Sequence, residues 1–252
     1  MHFSPSDLYS AFDGPADPIV EFLAWLAESS GLSGQVRVAD IGAGPGRLLS
    51  PLADRGWAIT AYEPNPDFHA TATRIAASSR GQIQVKLAGF EDLDEESNFD
   101  LVIAVNGPFA YLLTSAARSA ALGAAAGALV PGGQIVLDIP NFEWILSHYR
   151  EPARDQRPFH GGQVELRREH QIDRSQGIFT TIDHYTITGV AAEPQTATQT
   201  SVYAMVPAEG LISAVKEAGF EDIRDFGSFG SRAQKSSHGA RLLLVGSKRR
   251  AA

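Results

Sequence analysis

A glycine-rich segment, residues 42–46, is the part of the sequence whose residue types point most directly to a ligand. It reads Gly-Ala-Gly-Pro-Gly and follows an apolar run that predicts a buried strand over 36–41. Because glycine lacks a Cβ atom, a turn built from it lets the backbone approach a bound molecule closely. A strand, a glycine turn and a following helix are typical of nucleotide-binding α/β proteins. The segment therefore predicts a nucleotide-like ligand at the end of this strand.

Two polar side chains follow other predicted strands of the same sheet. Strand 58–63 ends on Glu63, and Asn106 comes directly after strand 101–105. A carboxylate at the position of Glu63 can accept hydrogen bonds from two ribose hydroxyls. The alternative is that Glu63 is a solvated loop carboxylate. Ligands of open α/β sheets collect at the carboxyl ends of the strands. We therefore expect Glu63 and Asn106 to face the same ligand as the glycine segment.

Residues 38–46 resemble the first motif of class I S-adenosylmethionine-dependent methyltransferases, with Asp40 two residues before the first glycine. In that family the glycine loop passes beside the amino acid part of the cofactor, and the acidic residue matching Glu63 binds the ribose. The spacing is GxGxG, whereas a nicotinamide-dependent oxidoreductase predicts GxGxxG. The resemblance, to small-molecule methyltransferases in particular, implies S-adenosylmethionine as cofactor and S-adenosylhomocysteine as product.

Residues 88–93, after the third predicted strand, depart from the family's pattern. The family commonly places an acidic residue and a backbone amide against the adenine here. Gly89 stands at the acidic position, so the resemblance assigns the adenine contacts to the Phe90 backbone and to Glu91 or neighbouring side chains.

Residues 106–109 resemble, imperfectly, the Asn-Pro-Pro-Phe motif of amine-directed methyltransferases, with Gly107 in place of the first proline. A simple turn that contacts cofactor is the alternative. The residues predicted to bind the cofactor are Asp40, Gly42, Ala43, Gly44, Glu63, Pro64, Gly89, Phe90, Glu91 and Asn106.

Two further residues are candidates for catalysis. Methyl transfer from a sulfonium is an in-line displacement, so the protein mainly aligns the reactants, and a histidine suits proton removal from the acceptor. His148 is predicted as that base because it lies just after the fifth strand, beside Tyr149. Tyr9 lies in a segment similar to the lid of many small-molecule members, although a surface aromatic at a frayed terminus is the alternative. The competing histidines are His160, His170, His184 and His238.

The pattern of elements predicts an α/β fold that is Rossmann-like and doubly wound. Apolar strands alternate with helical stretches from 35 to 139, and the alternation resumes after 207, which predicts a mostly parallel, seven-stranded sheet. Between them, residues rich in Thr, Val, Ile and Tyr predict an antiparallel, β-rich insertion after strand five. We expect residues 1–139 and 207–252 to form the cofactor-binding domain, and 140–206 a cap that shapes the acceptor pocket or makes a homodimer contact.

Composition narrows the function further. The 252 residues carry a formal net charge of −8 and include no cysteine, which excludes disulfides and thiolate metal sites. No metal-ligand spacing, membrane span or signal peptide is recognisable, so we expect a cytoplasmic protein without a bound metal. Because the negative charge repels the phosphates of a nucleic acid, we do not expect a nucleic-acid partner. The charge instead favours a small-molecule methyl acceptor.

Three alternatives to a small-molecule methyltransferase stay open at this point. A non-catalytic S-adenosylmethionine-binding protein would keep the same glycine segment, because fold does not determine function. A nucleic-acid methyltransferase would use residues 106–109, and an oxidoreductase would share Glu63.

Overall fold

The chain forms seven α-helices and eleven β-strands in the part that the computed structural model describes, residues 3–32, 34–148, 153–232 and 239–250. The helices are α1 Pro5–Phe12, α2 Asp17–Ser29, α3 Leu49–Ala53, α4 Pro66–Ser78, α5 Ser115–Ala128, α6 Phe142–His148 and α7 Ala208–Glu217. The strands are β1 Arg37–Ile41, β2 Ala58–Tyr62, β3 Gln82–Lys86, β4 Phe99–Ala104, β5 Leu129–Pro140, β6 Ala153–Phe159, β7 Gly162–Asp173, β8 Ile178–Thr188, β9 Gln195–Ala204, β10 Phe220–Phe226 and β11 Arg241–Lys248.

A seven-stranded sheet in the order β10-β11-β5-β4-β1-β2-β3 forms the centre of the molecule. The five strands from β5 to β3 are parallel, and β11 runs antiparallel to both of its neighbours. This arrangement confirms the predicted Rossmann-like, mostly parallel sheet. All five parallel strands deliver their carboxyl ends to one edge, where the predicted site residues lie.

Apolar side chains on both faces of the sheet hold the helices in place. One buried cluster packs α5 and α7 against the first face, and another packs α2, α3 and α4 against the second. In β4, Leu101 and Ile103 belong to one cluster while Val102 and Ala104 belong to the other, as the two-residue period of a strand requires. The central strands are therefore buried on both sides, which makes the carboxyl edge the accessible one.

A separate four-stranded antiparallel sheet in the order β6-β7-β8-β9, here called the cap sheet, lies between β5 and α7 in the chain. It falls within the predicted insertion of residues 140–206, and the division into two domains at those boundaries stays a prediction. Along β8 the side chains alternate between buried and partly exposed, so the sheet has one inner and one outer face. Strand β6, a polar edge strand that contains Pro158, was not predicted from the sequence.

The fifth strand begins earlier than its sequence predicts. Helix α5 ends at Ala128, and Leu129 already pairs with Phe99 of β4, although the sequence Pro131-Gly132-Gly133 predicts a turn before a strand over 134–139. A register shift between Phe99 and Leu101 accommodates these extra residues. Residues 130–133 have no partner in β4 and Gly132 has a φ of +84°, so the turn signal of proline and glycine is expressed as a bulge inside the strand.

The short helix α1 belongs to neither main cluster and packs instead on the cap sheet. Ser4 caps it, and its side chain accepts a hydrogen bond from the Asp7 amide. Phe3 and Leu8 are buried in a third cluster together with Val164 and Tyr185 of the cap. This packing brings the first turns of the chain over the carboxyl edge of the main sheet.

We expect Leu8→Ala to loosen α1 from the cap sheet. Leu8 is 3% exposed, and removing a buried leucine side chain costs about 2–4 kcal/mol, which corresponds to roughly 30- to 1,000-fold faster amide exchange if α1 opens locally. Hydrogen exchange of the α1 amides measures this, with Ser10→Ala on the exposed side of the helix as control. Equal exchange in both variants would contradict the packing described.

Candidate cofactor and acceptor site

The glycine turn after β1 depends on backbone conformations that other residues rarely adopt. Gly42 has a φ of +70° and its amide donates to the Tyr62 carbonyl at 2.7 Å. A Cβ atom at Gly42 would lie 2.4 Å from the Cβ of Pro108, so the turn and the segment after β4 touch directly. At Gly44, with a φ of +59°, no described atom lies within 4 Å of the place where a Cβ would stand. The turn is closed on one side and open to a ligand on the other.

Glu63 is buried beside this turn and ties it to the end of β2. Its Oε2 atom accepts a hydrogen bond from the Gly44 amide at 2.7 Å, and its Oε1 atom accepts one from the Asn65 amide at 2.8 Å. Burial raises the pKa of Glu63, and these two backbone donors oppose that effect. Each carboxylate oxygen keeps a further lone pair, so the side chain can still accept two hydroxyl groups.

Asp40 presents a buried carboxylate oxygen to the same turn. The side chain is 2% exposed, and its Oδ2 atom has no hydrogen-bond partner among the described residues. Burial, reinforced by the neighbouring charge of Glu63, raises the pKa of Asp40 to about 7, whereas Arg47 opposes the shift. A buried acceptor without a donor is costly, and a cationic or hydrogen-bond-donating ligand group would satisfy it.

Asn106 and Tyr9 meet above the turn. Asn106 has a φ of +71°, and its side-chain amide donates a short hydrogen bond to the Tyr9 hydroxyl. The Tyr9 ring packs on Phe68 of α4, with 5.3 Å between the ring centroids. Burial, with the nearby Asp13 charge, raises the pKa of Tyr9 to about 12, so its hydroxyl keeps its proton at neutral pH.

Half of the predicted site residues thus line one pocket. Two charged residues that the sequence analysis missed line it too: Arg47 pairs with Asp13 at 2.8 Å and donates to the Gly14 carbonyl at 2.9 Å. The position of Arg47 directly after Gly46 was a usable signal, whereas nothing in the sequence marked Asp13. The predicted residues that share this pocket are Tyr9, Asp40, Gly42, Ala43, Gly44 and Asn106.

The predicted adenine segment forms a short 3-10 turn, Phe90–Asp92, after β3. Phe90 is 4% exposed and packs edge-on against Phe109, so only its backbone is available for the predicted contact. The Glu91 carboxylate lies against Gly89, and Pro64 and Glu91 are exposed. Their contacts with an adenine stay a prediction.

His148 lies at the exposed end of α6. Its ring stacks on Trp144 with a centroid distance of 4.4 Å, and its Nδ1 atom is 2.9 Å from the Trp144 carbonyl oxygen. Its assignment as the catalytic base stays a prediction. Tyr149 and His238, which the sequence analysis also considered, lie outside the described residues.

Among the described residues, no group of three or more His, Asp or Glu side chains is arranged to hold a metal ion. Within the same part of the chain, no helix is both long and apolar enough to cross a membrane.

Comparison with known proteins agrees with this geometry. Residues 38–133 match the family model described as methyltransferase domain. A stretch of 113 residues, 45% of the chain, is 31% identical to a ubiquinone biosynthesis O-methyltransferase from Bradyrhizobium sp. (strain ORS 278) and covers 43% of that protein. The matched stretch therefore spans less than half the length of this curated relative.

Solved structures share the fold over nearly the whole chain. An S-adenosylmethionine-dependent methyltransferase from Clostridium acetobutylicum superposes with a TM-score of 0.80 at 14% identity and 96% coverage of both chains. A sugar N-methyltransferase from Streptoalloteichus sp. gives 0.79 at 22% identity, covering 99% of this chain and 94% of the other. An amino pentose methyltransferase from Micromonospora echinaspora, solved with S-adenosylmethionine bound, gives 0.77 at 19% identity and 98% coverage of both.

A mostly parallel sheet that ends in an antiparallel hairpin, with a glycine turn after β1 and an acidic residue after β2, defines the class I methyltransferase fold. Residues 38–133 thus match a methyltransferase domain, and the whole chain shares the fold of class I S-adenosylmethionine-dependent methyltransferases.

The buried carboxyl of Asp40 makes stability depend on pH. Because its folded pKa is about 7 and its unfolded value is 3.8, its contribution is fully present below pH 4 and is lost as pH rises through 7. We expect Asp40→Asn, which cannot ionise, to gain stability relative to the natural chain between pH 5 and pH 8, by up to about 4 kcal/mol. Urea unfolding without cofactor measures this, and Asp54→Asn on an exposed turn is the control. A difference that stays constant over this range would contradict the burial of an unpartnered carboxyl.

Proposed function

We propose that the protein transfers a methyl group from S-adenosylmethionine to a nitrogen or oxygen atom of a small-molecule acceptor. The observation that carries this proposal is the meeting of the glycine turn, Glu63 and Asn106 at one edge of the sheet, where the turn after β4 also contacts the cap sheet. An enzyme of this kind needs a cofactor pocket that opens onto a second, acceptor pocket.

The residues present suit the cofactor. Glu63 would hold the ribose hydroxyls with its two remaining lone pairs, and the open space at Gly44 leaves room for the amino acid part. The unpartnered Oδ2 atom of Asp40 suits an ammonium group, whereas Arg47 supplies a cation for a carboxylate. The sheet order also disfavours the nicotinamide alternative, because dinucleotide-binding Rossmann sheets lack the antiparallel β11 between β5 and β10.

The acceptor pocket in this proposal lies between the turn after β4 and the inner face of the cap sheet. Tyr111, at the end of the 3-10 turn Pro108–Tyr111, has its hydroxyl 3.0 Å from that of Tyr203 and donates to the Ser201 hydroxyl at 3.2 Å. Burial and the nearby charge of Asp183 raise the pKa of Tyr185, whereas Arg168 opposes this shift, and Tyr9 is close enough to contribute to it. Side chains of the turn after β4, of α1 and of the cap therefore lie close to one another.

The inner face also carries an ion pair next to these tyrosines. Arg168 donates to both carboxylate oxygens of Asp183, at 2.6 and 2.7 Å, and Asp183 is buried. The pair is neutral overall and lies on the same face of the cap sheet as Ser201 and Tyr203. Such a surface suits an uncharged or singly cationic acceptor with several hydroxyl groups, because aromatic faces and hydrogen bonds both contribute to binding. An amino sugar fits this description, as in the amino pentose and sugar N-methyltransferases that share the fold.

The chemistry asked of the protein is mainly alignment. When bound, S-adenosylmethionine supplies an activated methyl group on a sulfonium. Asn106 and Tyr9 lie where they can orient an acceptor and exclude water, and the Tyr9 hydroxyl acts as a donor because its pKa is about 12. An amine acceptor must either bind in its neutral form or lose a proton in the site before it reacts. His148 is our candidate for the proton removal. A cytoplasmic location and a homodimer contact through the cap are further parts of the proposal.

Cofactor binding is the first test. We expect calorimetry to detect S-adenosylhomocysteine and S-adenosylmethionine but not NAD, with binding lost in Glu63→Ala and at least tenfold weaker in Gly44→Ala. Gly56→Ala is the matched control, because Gly56 has a φ of +81° and equally open surroundings on another turn. Failure of the natural chain to bind either sulfur compound would overturn the proposal, as would equal weakening in both glycine variants.

Acceptor choice needs a separate test with radiolabelled methyl transfer to a panel of amine- and hydroxyl-bearing sugars. For any acceptor found, we expect Ser201→Ala and Tyr203→Phe each to raise its KM about 3- to 10-fold through loss of a hydrogen bond, with little change in cofactor affinity. Thr200→Ala, on the exposed outer face of the same strand, is the control. Cofactor binding without transfer to any acceptor class would favour the non-catalytic alternative, and an unchanged KM would remove the cap from acceptor recognition.

A further inference from the structure

We infer that Asp138 and Arg241 are positioning residues that hold Asn106, and through it Tyr9, over the cofactor pocket. The importance of this unit for catalysis depends on the proposed function, but its structural basis is independent of it. The four residues come from β5, β11, the segment after β4 and helix α1. They form one continuous chain of hydrogen bonds, here called the Arg241–Tyr9 relay.

Asn106 needs such support because of its backbone. Its φ of +71° lies in the left-handed region. Asparagine tolerates this conformation better than most residues, but it is still less favourable for asparagine than an extended conformation. Gly107 follows with a φ of +97°, so two successive residues turn away from the direction of β4. This reversal aims the Asn106 side chain at Tyr9.

Asp138 supplies the support from the neighbouring strand. Its Oδ2 atom accepts a hydrogen bond from the Asn106 amide at 2.8 Å, and its backbone carbonyl accepts one from the Gly107 amide at 2.9 Å. Both amides lie beyond the regular pairing of β4 with β5, which ends at Ala104 and Leu137. Asp138 therefore continues the contact between the strands with its side chain and fixes the reversed segment.

Arg241 compensates the buried charge of Asp138. Asp138 is 2% exposed, and the Nε atom of Arg241 donates to its Oδ1 atom at 2.8 Å while an Nη atom makes a shorter bond to Oδ2. The other Nη atom lies 3.4 Å from the side-chain oxygen of Asn106. With its oxygen turned toward Arg241, the Asn106 amide nitrogen is left to donate to Tyr9. The arginine thus sets the orientation of the asparagine side chain as well as neutralising the aspartate.

The same sheet contains a natural control at its opposite edge. Asp100, at the start of β4, accepts hydrogen bonds from the Arg37 amide at 2.8 Å and from two nitrogens of its guanidinium at 3.0 and 3.1 Å. The chemistry matches that of Asp138, but the pair lies at the amino ends of the strands, away from the pocket. A variant there reports the cost of losing an aspartate–arginine pair without any effect on the relay.

The test uses the full chain labelled with 3-fluorotyrosine, with the Tyr9 resonance assigned by its absence in Tyr9→Phe. We expect Asp138→Asn to move this resonance toward the position of an exposed tyrosine, without cofactor present, and to weaken S-adenosylhomocysteine binding at least tenfold. Asp100→Asn should leave the resonance in place and the affinity within twofold. An unmoved resonance in Asp138→Asn, or the same changes in both variants, would overturn the inference.

A second pair of variants keeps the inference testable if Asp138→Asn does not fold. Arg241→Lys retains the positive charge and should preserve the Tyr9 resonance, whereas Arg241→Met should shift it. Equal resonances in these two variants would also contradict the relay. Because the fluorine measurement needs no ligand, a natural chain that fails to bind S-adenosylhomocysteine would contradict the proposed function and leave the relay to be judged separately.

Discussion

The carboxylate of Glu63 is the contact on which the geometry of the pocket depends. One of its oxygens accepts from the glycine turn after β1 and the other from the segment after β2, so a single side chain fixes the spacing between two neighbouring loops. Parallel pairing of β1 with β2 brings the two loops together, but it does not determine their conformation beyond the last paired residues. The Glu63 carboxylate determines this conformation, because it is a buried acceptor that binds a backbone amide of each loop. The open side of the glycine turn can then face a ligand while the backbone hydrogen bonds of the turn are kept.

The parts of the site that the sequence predicted are those encoded by short segments. The glycine turn, Asp40 and Glu63 could be recognised because a ligand-binding turn requires particular residue types at close spacing. The mostly parallel sheet followed from the alternation of apolar runs and helices, whereas the order of its strands was not predicted.

The parts that were missed depend on contacts between distant segments. Asp13 and Arg47 are 34 residues apart, as 47 − 13 gives, and Asp138 and Arg241 are 103 apart. The sequence around Asp13 does not differ from that of a solvated surface residue. Asp138 stands inside an apolar run, but nothing near it in the sequence identifies Arg241 as its partner. Strand β6 was missed for a related reason, because its polar residues pair with β7 at the edge of the cap sheet and bury little surface of their own.

The position of β11 has a consequence for the order in which the protein can assemble during synthesis. This strand pairs with β5 along seven residues, from Arg241 with Pro140 to Ser247 with Gln134, although about 100 residues separate them in the chain. Until residues 241–248 leave the ribosome, the edge of β5 lacks its partner and exposes unpaired backbone N–H and C=O groups to other chains. The same strand carries Arg241, so the charge of Asp138 is compensated only at that late stage. Closing this long loop is therefore expected to be slow, and the nascent chain is most vulnerable to aggregation just before it happens.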